Sequence, residues 1–155
     1  QYQAGDARLF SQVGERRDGG LWSAGKEGFL MHGPYVALPA GRYTARVGGC
    51  FPQVVPGVWL DVACEKGGRV LAKADWREMA TDSTQFACSF ELTVPASDLE
   101  VRLWVPASAS VRVDRLVIEP QALPVPSELP SALDAIKPIE MDAVPTPNSA
   151  LIRKR

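Results

Sequence analysis

The run Leu99-Glu100-Val101-Arg102-Leu103-Trp104-Val105 separates into two sets by parity. Leu99, Val101, Leu103 and Val105 fall on one side, and Glu100, Arg102 and Trp104 on the other. A period of two places successive side chains on opposite faces of an extended strand, so this segment has one dry face. The same pattern carries Phe86, Cys88, Phe90, Leu92 and Val94 through the Gln85–Val94 segment. It recurs where Tyr43, Ala45 and Val47 oppose Arg42, Thr44 and Arg46. No long stretch shows the 3.6-residue period of a surface helix. Strands with one apolar face bury it by stacking two antiparallel sheets on a common core.

Strand signals recur along the chain, at Arg8–Val13, Leu21–Ser23, Gly28–His32, Tyr35–Leu38, Arg42–Gly48, Val58–Cys64, Arg69–Ala74, Gln85–Val94, Leu99–Val105 and Ser110–Glu119. Turn-forming stretches separate them, among them Arg17–Gly20, Glu65–Gly68 and Pro95–Asp98. In "GPYVALPAGRYTARV", Gly33–Val47, two apolar runs flank Pro39-Ala40-Gly41, which reads as a β-hairpin. Tyr43 is expected in the core, with its hydroxyl on a backbone partner at the rim. The expected fold is an all-β jelly-roll sandwich of about eight to ten strands.

After Glu119 the composition changes. Seven of the 13 prolines lie between Pro120 and Pro147. Proline removes backbone donors and breaks both periodicities. The expected division is therefore a sandwich over 1–119 and a Pro-rich linker or strap over 120–155. Its one short helical candidate is Ser131–Ile136. That tail cannot build a core of its own, and it is a candidate strap onto a neighbouring domain or subunit.

Charge narrows the partners. Lys plus Arg total 17 and Asp plus Glu 18, a net charge of -1, with no basic patch of the kind that reads a phosphate backbone. No nucleic-acid partner is expected. No apolar run approaches the ~20 residues of a membrane span. The chain begins at Gln1, which reads as a processed product or an excised piece. Cys50, Cys64 and Cys88 match neither a disulfide scaffold nor a zinc pattern. Cys64 and Cys88 share the parity of core residues and read as small buried hydrophobes, with a Cys64–Cys88 disulfide as the alternative.

Two segments carry a resemblance. "GFLMHGPYVALPAGRYTARV" and, later, "VRLWVPASASVRVDRLVIEP" together resemble the galactose-binding-like jelly-roll domains. The similarity lies in an early Pro-Ala-Gly-x-Tyr turn and in a last strand, Val111 to Ile118, that carries Asp114 between apolar residues. It covers roughly residues 28–119. Many non-catalytic carbohydrate-binding modules have this fold, some appended to bacterial polysaccharide-processing enzymes. The resemblance implies such a module, in a bacterial cytoplasm or cell envelope. Many of these domains hold a structural calcium ion, but this chain shows no dense Asp/Asn/Glu loop to supply one.

Catalytic signatures are sparse. His32 is the only histidine, so any Ser–His or Cys–His arrangement would need it. It reads as a strand-end residue bonded to a loop. No Gly-x-Ser-x-Gly elbow occurs, and "GGCFPQVVPG" has no lysine for a phosphate loop. A glycosidase needs two carboxylates at a fixed separation. Asp61, Asp75, Glu78 and Asp82 are candidates by residue type only. No enzyme activity is expected.

The aromatics point to binding. Sugar rings stack their C–H faces on indole, and their hydroxyls bond to carboxylate and guanidinium groups. Parity puts Trp59 and Asp61 outward on one strand, and Trp104, Arg102 and Glu100 outward on another. Trp59 and Trp104 are the expected stacking platforms, with Asp61 and Arg102 bonding hydroxyls. Trp76, in the polar connection Asp75–Gln85, is a further candidate, with a cap on the end of the core as the favoured alternative. Trp22 could line a rim or pack the N-terminal strand. The expected function is a non-catalytic carbohydrate-binding module. The competing expectation is an assembly module whose outward aromatics and tail meet protein.

Overall fold

In the computed structural model of the chain, residues 1–52, 56–78 and 83–123 are described. They lie almost wholly within one compact unit, Gln1–Gln121. The second unit begins at Ala122; Pro120, the first residue of the expected strap, ends the last strand, and residues 124–155, with the helical candidate Ser131–Ile136, lie outside the described residues.

The described residues form ten strands. They are β1 (Tyr2–Gln3), β2 (Gly14–Arg17), β3 (Gly20–Ser23), β4 (Gly28–Leu38), β5 (Gly41–Cys50), β6 (Trp59–Cys64), β7 (Arg69–Asp75), β8 (Gln85–Leu92), β9 (Ala96–Val105) and β10 (Arg112–Pro120). A 3₁₀ turn, Trp76–Glu78, follows β7. The strands make two antiparallel sheets. One runs β2-β3-β10-β5-β8, with β1 also paired to β10; the other runs β4-β9-β6-β7. The fold is thus an all-β sandwich, as the alternation requires.

The inward parities hold. Leu99, Val101, Leu103 and Val105 are all fully buried, as are Ala45 and Val47, with Tyr43, Cys88 and Phe90 nearly so. Each buried aliphatic or aromatic side chain contributes about 1.5–3 kcal/mol by leaving water. Cys64 and Cys88 are buried and free, and burial pushes both thiols up.

Several expectations need correction. Gly33–Val47 is not a hairpin. β4 pairs with β9, whereas β5 pairs with β10 and β8, so Pro39-Ala40 carries the chain from one sheet to the other. Alternation sets which face of a strand is dry, not which strand lies beside it. The Tyr43 hydroxyl does hold this crossing, donating to the Pro39 carbonyl at 2.8 Å. Gly28–His32 and Tyr35–Leu38 are one strand with register shifts, passing through a cis Gly33–Pro34 peptide. Arg8–Val13 is not a strand: Asp6 caps a turn by accepting from the Arg8 amide, and only Phe10 bridges, to His32. Val94 lies beyond β8 and is exposed. The polar strand β2 gave no apolar signal at all.

In β10 the inward residues are Val113 and then Leu116, a change of parity. The register shift between Val113 and Arg115 makes Asp114 an extra, bulged residue. Its freed carbonyl accepts from the Ala4 amide at 2.9 Å, which ties the N-terminus to this strand.

Candidate functional site

The outer face of the four-stranded sheet carries the candidate site residues Trp59, Asp61, Arg102 and Trp104. Register aligns its outward residues in rows across β4, β9, β6 and β7. The first row is Phe29, Trp104, Trp59 and Asp75; the second is His32, Arg102, Asp61 and Lys73; the third is Pro34, Glu100 and Ala63. Parity alone puts Trp59, Asp61, Arg102 and Trp104 on one face, and pairing makes them neighbours.

The first row is aromatic. Trp59 and Trp104 lie parallel, 5.7 Å apart at 4°, and Phe29 stands edge-on to both, at 5.7 and 4.9 Å. The Lys73 ammonium sits 4.5 Å from the Trp59 ring centre, a cation–π contact. Both tryptophans are half-buried. Each therefore has another ring against it and offers only its remaining surface to a ligand.

The second row is an ion pair. Asp61 is 2% exposed and accepts from Arg102 Nε at 2.8 Å and Nη2 at 2.6 Å. This fork geometry is the strong form of the contact and pushes the guanidinium pKa further up. Asp61 is thereby committed to Arg102, so the expectation that it bonds sugar hydroxyls is corrected. Its carboxylate is enclosed, and it orients the arginine. Arg102 Nη1 is left facing Glu100, with 4.0 Å between Nη1 and Oε1.

Glu100 is 6% exposed and forms part of a cleft of about 230 Å³, together with Gln12, Phe29, His32, Tyr35, Lys66 and Arg102. His32 Nδ1 lies 2.7 Å from the Tyr35 hydroxyl, and Glu100 lines the cleft beside them. Phe10 stacks on the His32 ring at 5.6 Å and 21°. Partial burial lowers the His32 pKa. Burial, and then the Glu100 hydrogen bond and charge, raise Tyr35 to about 12.

The β6–β7 turn walls the cleft. Glu65, Lys66 and Gly67 adopt left-handed φ values of 56°, 57° and 80°. Asp98 holds them there, accepting from the Glu65 and Lys66 amides at 2.9 and 2.7 Å. A Cβ on Gly67 would stand 2.9 Å from Arg102 Nη1 and 3.0 Å from Glu100 Oε1, so glycine lets the turn come this close without displacing those two side-chain ends. Tyr35 is also left-handed, at φ 60°. Strained non-glycine backbone persists where surrounding structure over-determines it, and it clusters at ligand clamps. Among the described residues, Tyr35 and Lys66 are two of four such positions, and both line this cleft.

The other candidates lie elsewhere. Trp76 is 2% exposed and stacks on Phe51 at 4.8 Å and 26°, with Phe86 edge-on at 5.1 Å. It is a core residue, and as a binding platform it is corrected: an enclosed ring cannot stack on a sugar. Trp22 belongs to the six-stranded sheet, under the Arg17 guanidinium at 4.5 Å. Asp75 sits in the aromatic row, while the Glu78 side chain and Asp82 lie outside the described residues. His32 is not at a strand end but within β4. Among the described residues, no three His, Cys, Asp or Glu side chains converge on a point where a metal ion could be held. Among the same residues, no helix is long and apolar enough to cross a membrane.

Sequence reasoning passed over Phe29, Tyr35, Lys66 and Gln12 as site residues. Glu100 carried a legible signal, since it shares the outward parity of Arg102. Comparison with known proteins found no matching family model, no matching curated protein and no matching solved structure.

Proposed function

We propose that this domain is a non-catalytic carbohydrate-binding module of the galactose-binding-like kind, and that glycan lies along the outer face of the four-stranded sheet. One observation carries the reading: a buried carboxylate and an oriented guanidinium share a small cleft with aromatic rings. Glu100 and Arg102 stand beside Phe29, His32 and Tyr35, with the Trp59–Trp104 pair next along the sheet. Sugar recognition needs apolar surface for ring C–H groups beside directional donors and acceptors, and both are present. Dissociation constants from millimolar to micromolar, about -4 to -8 kcal/mol, suffice for a module that gains from effective concentration.

Glycan-array and calorimetric binding to the intact chain test the reading. Arg102→Ala and Trp104→Ala should each weaken a detected interaction at least several-fold. Binding that survives both variants unchanged removes the glycan from this face.

A protein partner is the second reading. The rings of Trp59, Trp104 and Phe29 already rest on one another, which leaves less ring face for a sugar. The edge strand β7 also exposes Val70. An intact chain that binds no glycan moves this reading to first place.

A further inference from the structure

Resting on the glycan reading above, the balance of charge and hydrogen bonds in the cleft says which sugars it takes. Three charged groups line it, Arg102, Lys66 and Glu100, and Asp61 stands behind Arg102. Arg102 and Lys66 are cations; Asp61 and Glu100 are carboxylates. Asp61 neutralises Arg102 through two hydrogen bonds. That leaves Glu100 and Lys66 as the groups a ligand meets, one of each sign. An acidic substituent would gain from Lys66 and be repelled by Glu100, and an amino substituent would meet the reverse. Placing either charge beside an unmatched partner in a partly dry site costs more than in water.

Hydroxyl groups face no such conflict, because each both donates and accepts. The cleft supplies both counterparts. Tyr35 has a single hydroxyl proton. Where that proton turns to the Glu100 side of the cleft, the Tyr35 oxygen accepts from His32 Nδ1–H, 2.7 Å away. Burial lowers the His32 pKa and favours the neutral ring, and in that tautomer Nε2 keeps a lone pair. His32 Nε2 and the Glu100 carboxylate are acceptors. Lys66, the Gln12 amide and the Nη1 side of Arg102 are donors. The strained β6–β7 turn fixes this balance, because it sets Lys66 at the cleft and Gly67 against the Arg102–Glu100 pair.

We infer that the cleft selects an uncharged, polyhydroxylated sugar ring and discriminates against its acidic and amino counterparts, with Glu100 and Lys66 as the two specificity-determining residues.

The test is a titration of the intact chain, followed by amide NMR shifts. The probes are matched neutral, uronic-acid and 2-amino sugars of the gluco, galacto and manno series. The neutral member of at least one series should bind about tenfold more tightly than its charged counterparts, the scale of one unmatched charge at a partly wet site. Shifts should centre on residues 65–68 and 100–104, and added salt should change neutral-sugar binding little. Exchanging one charge should redirect preference. Glu100→Gln should favour the uronic acid by about tenfold, and Lys66→Met the amino sugar, since each leaves one unopposed sign. Lys66 is exposed, so Lys66→Met keeps the test in force should Glu100→Gln fail to fold. A charged sugar that binds the unaltered protein as tightly as its neutral form overturns the inference and leaves the glycan reading standing. Binding of no sugar in any series removes the glycan reading, and this inference with it.

Discussion

Asp61 and Arg102 face each other across the β6–β9 pairing and are joined by two hydrogen bonds, at 2.8 and 2.6 Å, on a sheet face where both are largely withdrawn from water. Such a pair is costly to break from one side, because the remaining charge stays desolvated. Asp61→Ala should destabilise the domain by about 3–5 kcal/mol in a urea melt. The double change Asp61→Leu with Arg102→Met should recover most of that loss, since it leaves no orphan charge. A single variant as stable as the parent would mean that Arg102 turns readily to water.

Trp104 shows why an outward side chain is not always dispensable. It rests on Phe29 at 4.9 Å and on Trp59 at 5.7 Å, so its removal uncovers two other rings. Aromatic contacts of this kind are each worth about 0.5–1.5 kcal/mol beyond area burial. Trp104→Ala should therefore cost about 2 kcal/mol while leaving a folded domain, and Trp104→Phe should cost less. Equilibrium denaturation followed by circular dichroism reads both. A loss within half a kcal/mol would show that the three rings do not support one another.

The core prediction falls on Phe90, which stacks on Tyr43 at 5.4 Å and 19°. Phe90→Ala should cost about 3–5 kcal/mol through lost transfer energy and a residual cavity. Tyr43→Phe keeps the stack and loses only the bond to the Pro39 carbonyl, so it should cost about 1 kcal/mol. The reverse order of severity would place the main tie between the sheets in that hydrogen bond rather than in packing.

The difference between face and partner explains what the sequence could and could not reveal. Parity needs only neighbouring residues, so the inward set around Leu103 and the outward set around Arg102 were both legible. Register is a long-range property. Nothing near Asp61 in the chain announces that Arg102 lies opposite, and so its carboxylate reads as free for ligand until the strands are paired. The Pro39-Ala40 link misleads for the same reason, because a short connection is compatible with turning within a sheet or crossing between two. Trp76 sits in a polar segment, and composition describes the segment rather than the direction of one ring. Tyr35 enters the cleft through a left-handed φ of 60°, a conformation that no residue-type preference signals for tyrosine.

The last prediction uses the fact that His32 is the only histidine in the chain, so its ring resonance needs no assignment. Partial burial disfavours the imidazolium, and Arg102 adds to this, while Glu100 opposes it. The net direction is downward from the ordinary value of 6.5. The unfolded chain then holds more protons than the folded one between the two values, so stability falls as pH drops below about 6.5 and levels off below the folded pKa. A proton on Nε2 also removes the acceptor that the cleft offers to a hydroxyl. Sugar binding should therefore weaken over the same acid range. Tyr35 acts at the other end of the scale: its pKa is raised from 10.0 to about 12, so the folded state favours the protonated hydroxyl and loses stability as pH rises above about 10. Tyr35→Phe removes the hydroxyl that contacts His32, at an exposed position. It should move the His32 midpoint, abolish the alkaline loss and leave the fold intact. A His32 midpoint at or above 6.5 in the unaltered protein would show that burial does not outweigh Glu100 at this ring, and one indifferent to Tyr35→Phe would show that the His32–Tyr35 contact does not form in solution.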